Sequence, residues 1–135
     1  MTAGEVLLVE DADVHVEFTR LAFGDDDHLT VARDGEEAVA LIDERAERPP
    51  ALVLLDLKLP GMSGFDVLQA IRSHASEHVR RTPVVVLTTS RAPADVRRAY
   101  DLGANAFLRK PLELPDFIEL IGDVRHWWLE RVELP

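Results

Sequence analysis

Five short, largely apolar runs, Val6–Val9, Leu29–Arg33, Ala51–Leu55, Val84–Leu87 and Ala106–Arg109, recur along a chain of 135 residues. The segments between them carry apolar residues at helical spacing, and this alternation limits the possible folds more than any other feature. Val14, Phe18, Leu21 and Ala22 follow the first run with a helical period. Asp34-Gly35-Glu36-Glu37 sets an acid three residues before a glutamate, a helix-start signature ahead of a helix over Glu36–Arg48. Ser63-Gly64-Phe65-Asp66 repeats that signature before a helix with Val67, Leu68 and Ile71 on one face. Further helices are predicted over Pro93–Leu102 and Leu114–Leu129, and the polar, aperiodic His74–Arg81 reads as a loop. Strands that alternate with helices form parallel sheets covered on both faces, so each strand is apolar on both sides. The expected fold class is α/β, a (βα)5 doubly wound sandwich around one five-stranded parallel sheet.

Composition narrows the function. Hydrophobic residues make up 47% and charged residues 30% of the chain, the balance of a globular protein with a single core. No apolar stretch reaches the roughly 18 residues of a membrane span, and no basic start precedes an apolar export segment, so a cytoplasmic protein is expected. The absence of cysteine excludes a disulfide framework and thiolate metal sites. A net charge of −10 with scattered basic residues argues against direct nucleic-acid binding. Lysine occurs only at Lys58 and Lys110.

The polar residues fall where the runs end. Strand one ends in Glu10-Asp11, strand three at Asp56, strand four at Thr88-Thr89 and strand five at Lys110. In a doubly wound sheet, ligands bind beyond the carboxyl ends of the strands where the strand order reverses, and in the flavodoxin-like order that point lies between strands one and three. The sequence thus brings acids, a hydroxyl and an ammonium to one edge. Two like charges about 4 Å apart repel by roughly 4 kcal/mol at an effective dielectric near 20. A divalent cation reverses that sign, and an all-oxygen donor set favours magnesium, with manganese also fitting. Acids, a lysine and a hydroxyl converging on one point suit phosphoryl transfer, with Asp56 as a nucleophile that forms an acyl phosphate.

The series Glu10-Asp11, Asp56-Leu57-Lys58-Leu59-Pro60-Gly61-Met62-Ser63-Gly64, Thr88 and Lys110-Pro111 resembles the receiver domain of two-component response regulators over nearly the whole chain. The resemblance implies the strand order 2-1-3-4-5, with Asp56 as phosphoacceptor and Asp11, Glu10, Asp56 and the main-chain carbonyl of Lys58 as the magnesium site. It makes Thr88 the switch hydroxyl, Lys110 the ammonium that pairs with the phosphoryl group, Phe107 the switch aromatic, and the Lys110–Pro111 bond cis. Thr89 departs from the small residue common in the family, on the route to Asp56. Leu87-Thr88-Thr89-Ser90, Tyr100-Asp101-Leu102 and a long last helix ending Trp127-Trp128 and Leu134-Pro135 are similar to stand-alone receivers that partner bacterial phytochrome-type histidine kinases. The implied function is a response regulator without an effector domain, phosphorylated by a sensor kinase and read by a downstream protein. Intrinsic self-phosphorylation and autodephosphorylation are its only expected catalysis. The competing readings are an aspartate-nucleophile phosphatase, which would carry its nucleophile in a DxD pair on strand one, whereas Glu10-Asp11-Ala12-Asp13 leaves the candidate nucleophile on strand three, and a flavin module, which would carry a hydroxyl- and glycine-rich phosphate loop after strand one.

Other features read as structural. Asp25-Asp26-Asp27 reads as a solvated acidic turn, and His15, His28, His74, His78 and His126, which lack ligand spacing, as surface residues. Gly61 and Gly64 read as a turn and a close-packed helix start. On the last helix Leu114, Phe117, Ile118, Ile121, Val124 and Trp128 are predicted to face the sheet. Leu120 and Trp127 lie on a neighbouring stripe with Val124 between them. With Tyr100 they predict a homodimer contact through the helices at 93–102 and 114–129; packing of Trp127 against Val132–Pro135 is the competing arrangement.

Overall fold

The computed structural model describes residues 4–24 and 28–133. Its elements are β1 (Val6–Val9), α1 (Asp13–Phe23), β2 (Leu29–Ala32), α2 (Gly35–Glu44), β3 (Leu52–Leu55), α3 (Gly64–Arg72), α4 (Glu77–Arg80), β4 (Val84–Thr88), α5 (Pro93–Asp101), β5 (Ala106–Arg109) and α6 (Leu114–Arg125). A π-helical stretch, His126–Arg131, prolongs α6. The strands pair in parallel in the order β2-β1-β3-β4-β5, as the resemblance implies. Among the described residues no helix is long and apolar enough to cross a membrane.

Strand geometry explains why the central runs are apolar at every position. Successive side chains point to opposite faces. Leu7, Val9, Val53, Leu55, Val84 and Val86 therefore enter one core with α2, α3 and α5 residues such as Ala38, Ile42, Leu68, Ile71 and Ala99. Val6, Leu8, Leu52, Leu54, Val85 and Leu87 enter the other with Val16 and Phe23 of α1 and Phe117, Ile121 and Val124 of α6. The edge strands β2 and β5 are only partly covered.

Local signals set the helix starts. The Asp34 carboxylate accepts from the Glu37 N–H at 2.7 Å, and Ser63 and Asp66 exchange reciprocal hydrogen bonds at the head of α3. Three expectations need correction. His74–Arg81 contains α4, one helical turn, because the Ser76 hydroxyl caps it and Val79 is buried. On α1 the buried residues are Val16, Thr19 and Phe23, while Val14 and Leu21 are exposed, because the helix turns its Val16 side to the sheet. On α6 Ile118 is exposed and Leu120 packs against the core, because the helix rolls its Phe117–Val124 side inward. Asp25-Asp26-Asp27 lies outside the described residues.

Arg72, the last residue of α3, joins three elements. Its guanidinium donates to the carbonyls of Gly103 at 2.9 Å, Arg80 at 3.0 Å and Thr82 at 2.6 Å, and to Asn105 Oδ1 at 2.8 Å. Asn105 Oδ1 also accepts from the Val84 N–H at 2.8 Å, so the entry to β4 depends on this cluster. Truncating Arg72 to alanine leaves these carbonyls without their charged donor, and an expected loss of about 2 kcal/mol follows. Arg72→Lys cannot restore a planar fork, so a urea midpoint for the lysine variant close to the alanine value checks the account.

Candidate functional site

Sheet hydrogen bonding continues past the strand ends and fixes the polar residues there. The Glu10 N–H donates to Ala32 O at 3.0 Å, Asp56 N–H to Val9 O at 3.1 Å and Lys110 N–H to Thr88 O at 2.8 Å. Backbones held this way give the side chains little choice of position. Lys110 Nζ lies 2.8 Å from Asp56 Oδ2 and also bonds Glu10 Oε1. Glu10 Oε2 accepts from the Ala12 N–H at 3.2 Å, and Asp56 Oδ1 from the Lys58 N–H at 3.3 Å. The side chains of Lys110 and Glu10 are each 2% exposed and that of Asp56 10%, so this is a buried ion cluster rather than a surface one.

The environment separates the two acids. Burial pushes the Glu10 carboxyl up to about 6 against the attraction of Lys110, with the Asp56 charge adding to the rise. Burial also opposes ionisation of Asp56. There the Lys110 ammonium and the hydrogen bonds from Lys110, the Lys58 N–H and Thr88 outweigh it, and the carboxyl sits below its usual range. The surroundings therefore favour the charged form of Asp56 more than that of Glu10.

Glu10, Asp11 and Asp56 each place a carboxylate oxygen within 4.8 Å of the other two. Among the described residues Asp11 is exposed and has no cationic partner, which leaves one open acid beside two buried ones. Hard oxygens, a surplus of negative charge and an open side fit a divalent cation that keeps part of its water.

Close packing brings the loop that carries Lys58 against Asp56. A Cβ on Gly64 would stand 2.1 Å from Asp56 O, so only glycine lets α3 begin this near the strand end. Gly61 has φ 70°, the left-handed conformation expected of the turn. Thr88 is fully buried, and its Oγ1 accepts weakly from the Ser90 N–H at 3.4 Å. The Ser90 hydroxyl donates to Asp95 Oδ2 at 2.6 Å, which ties this loop to the first turn of α5. Phe107 is half-buried, and its N–H donates to the Tyr100 hydroxyl at 3.1 Å.

Several predicted positions behave otherwise. The Lys110–Pro111 bond is trans, not cis. Trans is the lower-energy form of an X–Pro bond, and with it Lys110 already reaches both acids. His15 is not a surface residue: its Nδ1 lies 3.1 Å from Lys110 Nζ and 3.4 Å from Glu10 Oε1, with the side chain 24% exposed. Burial, and then the Lys110 charge, lower its tendency to protonate. Neither His15 nor Ser90 carries a spacing signal, because only the packing of α1 on α6 and of the β4–α5 loop delivers them. His74 is also partly covered, with Nε2 2.7 Å from Asp43. Of the predicted contact residues, Tyr100 and Trp127 are exposed, Leu120 is partly covered and Val124 is buried in the core, so Val124 offers no surface. Trp127 O accepts from the Val132 N–H at 2.9 Å; Leu134 and Pro135 lie outside the described residues.

The family model for the response regulator receiver domain matches residues 6–122. The chain belongs to that family. The receiver is 39% identical over 137 residues to response regulator Rcp1 of Synechocystis sp., a match covering 96% of this chain and 92% of the relative. Among solved structures it is similar to the Mn(2+)-bound form of Rcp1, with a TM-score of 0.87, 34% identity and coverage of 98% of this chain and 99% of that one. The phosphorylated cyanobacterial phytochrome response regulator RcpA has a TM-score of 0.90 at 32% identity, with 99% of both chains covered. The receiver is thus a homologue of phytochrome response regulators and belongs to a phosphoryl-accepting signalling family.

Proposed function

We propose that Asp56 takes a phosphoryl group from the phosphohistidine of a sensor kinase of the phytochrome type. The observation that carries this is the meeting of three acid oxygens within 4.8 Å of one another beside an ammonium 2.8 Å from Asp56. An Asp56 carboxylate oxygen bonds to phosphorus as the phosphorus–nitrogen bond to the donor imidazole breaks, and the imidazole keeps the electron pair. Magnesium supplies charge neutralisation of the phosphoryl oxygens, and Glu10, Asp11, Asp56 and the Lys58 carbonyl are the residues to hold it; manganese fits the same donors. Lys110 stabilises charge on the phosphoryl oxygens, and the Thr88 hydroxyl donates to them.

The output follows from position. Phosphorylation adds about −1.5 to −2 charge, taking an acyl phosphate to resemble a phosphoester. Thr88 is drawn to it, the space it leaves admits Phe107, and the face formed by α5, β5 and α6 changes. A complete switch from 1:99 to 99:1 needs the phosphoryl group to favour the active form by about 5.5 kcal/mol. Exposed Tyr100 on α5 and exposed Trp127 after α6 support a homodimer or a downstream protein as the reader of that face. A kinase donor implies reaction in the cytoplasm.

Beryllofluoride with magnesium tests the acceptor. It is expected to bind the native protein and to leave Asp56→Asn without a detectable complex by fluorine NMR. Equal binding to both proteins removes Asp56 from the reaction.

A further inference from the structure

The Lys110 ammonium has three N–H donors, and three acceptors surround it. They are Glu10 Oε1, Asp56 Oδ2 at 2.8 Å and His15 Nδ1 at 3.1 Å. An ammonium only donates, so His15 Nδ1 bonds it in the tautomer that carries the imidazole proton on Nε2, whereas a proton on Nδ1 would turn that atom towards Glu10 Oε1, 3.4 Å away. The ring is held for this task. It stacks on Phe117 with centroids 5.9 Å apart and planes at 13°, and Phe18 meets Phe117 edge-on at 5.5 Å.

We propose that His15 is a positioning residue for the divalent cation: its Nδ1 keeps hold of the Lys110 ammonium when a cation takes the carboxylates. The inference rests on reading Glu10, Asp11 and Asp56 as the cation site. Without a cation, Glu10 and Asp56 satisfy the ammonium with His15 as a third acceptor. With a cation, the oxygens of Glu10 and Asp56 are shared and a second positive charge faces the ammonium. His15 is the one acceptor of the three that the cation does not claim. A residue alters an affinity only by what it contributes to one state beyond the other, and His15 contributes more when the cation is bound.

Leucine and glutamine separate the acceptor from the ring. The two are close in size and both lack the stack on Phe117, but only glutamine can accept. Manganese binding to the full chain, followed by electron paramagnetic resonance, is expected to weaken about tenfold in His15→Leu, the scale of one hydrogen bond to a charged group. His15→Gln is expected to stay within about threefold of the native protein. Equal weakening by both substitutions, or none by leucine, overturns the proposal. Where the leucine variant does not fold, nitrogen-15 shifts of His15 in the magnesium-loaded native protein decide. A bare Nδ1 with the proton on Nε2 supports the proposal, and a proton on Nδ1 overturns it. Failure of the cation site itself has its own signature: manganese binding by the native protein would then be indifferent to Asp11→Asn.

Discussion

Lys110→Met is expected to lower the stability of the cation-free receiver by about 3–5 kcal/mol, the cost of breaking a buried ion pair from one side. Methionine roughly keeps the length and the packing of the stem but removes the charge. Glu10 and Asp56 are then left as two buried acids whose common partner has gone, since the side chains of Lys110 and Glu10 are only 2% exposed. Two consequences distinguish this from a packing defect. Magnesium should raise the urea midpoint of the variant more than that of the native protein, because a cation supplies the charge that methionine lacks. Adding Asp56→Asn to Lys110→Met should recover stability, since one of the two repelling acids is neutralised. A double mutant that merely sums the single effects would show the three groups to be uncoupled. A loss under about 1 kcal/mol in the single variant would place the cluster with weak surface pairs instead.

Gly64→Ala should destabilise the receiver by about 3 kcal/mol through steric overlap. The added Cβ would stand 2.1 Å from Asp56 O and 2.7 Å from Leu57 Cα, both backbone atoms that no side-chain rotation can move. Relief requires α3 to withdraw from the end of β3, which also breaks the Gly64 N–H to Leu57 O bond at 3.0 Å. The gain in helix propensity of about 1 kcal/mol for alanine over glycine is too small to compensate. Because the peptide displaced is that of the proposed acceptor, beryllofluoride binding should weaken along with stability. A surface glycine replaced with no loss of binding makes the contrast: Gly122, whose added Cβ meets nothing within 4 Å, is the control.

The parallel sheet and the strand ends that carry Glu10, Asp56, Thr88 and Lys110 were legible in the sequence. Apolar runs of strand length, separated by helical periods and capping pairs, admit few other arrangements. Polar residues at the carboxyl ends of parallel strands converge by topology alone, so the candidate site follows from the order of the elements. The same local logic reached the caps at Asp34 and Ser63 and the turn at Gly61, since each depends on a few adjacent residues.

What local sequence could not reach depends on how one element rolls against another. Helical period identified α1 and α6 and the inward Phe117, Ile121 and Val124 of α6, but not the edges of that stripe, where the packing of α1 on α6 through Phe18, Phe117 and His15 enters. That packing moved Ile118 outward, covered Leu120 and brought His15 to Lys110, 95 residues away along the chain. Arg72 likewise reads as an ordinary basic residue at a helix end until the fold sets three carbonyls and Asn105 around it. The identities of the residues at the candidate site are thus written along the strands. Their charges, and the neighbours that hold them in place, arise only when burial removes water and distant side chains become the remaining partners.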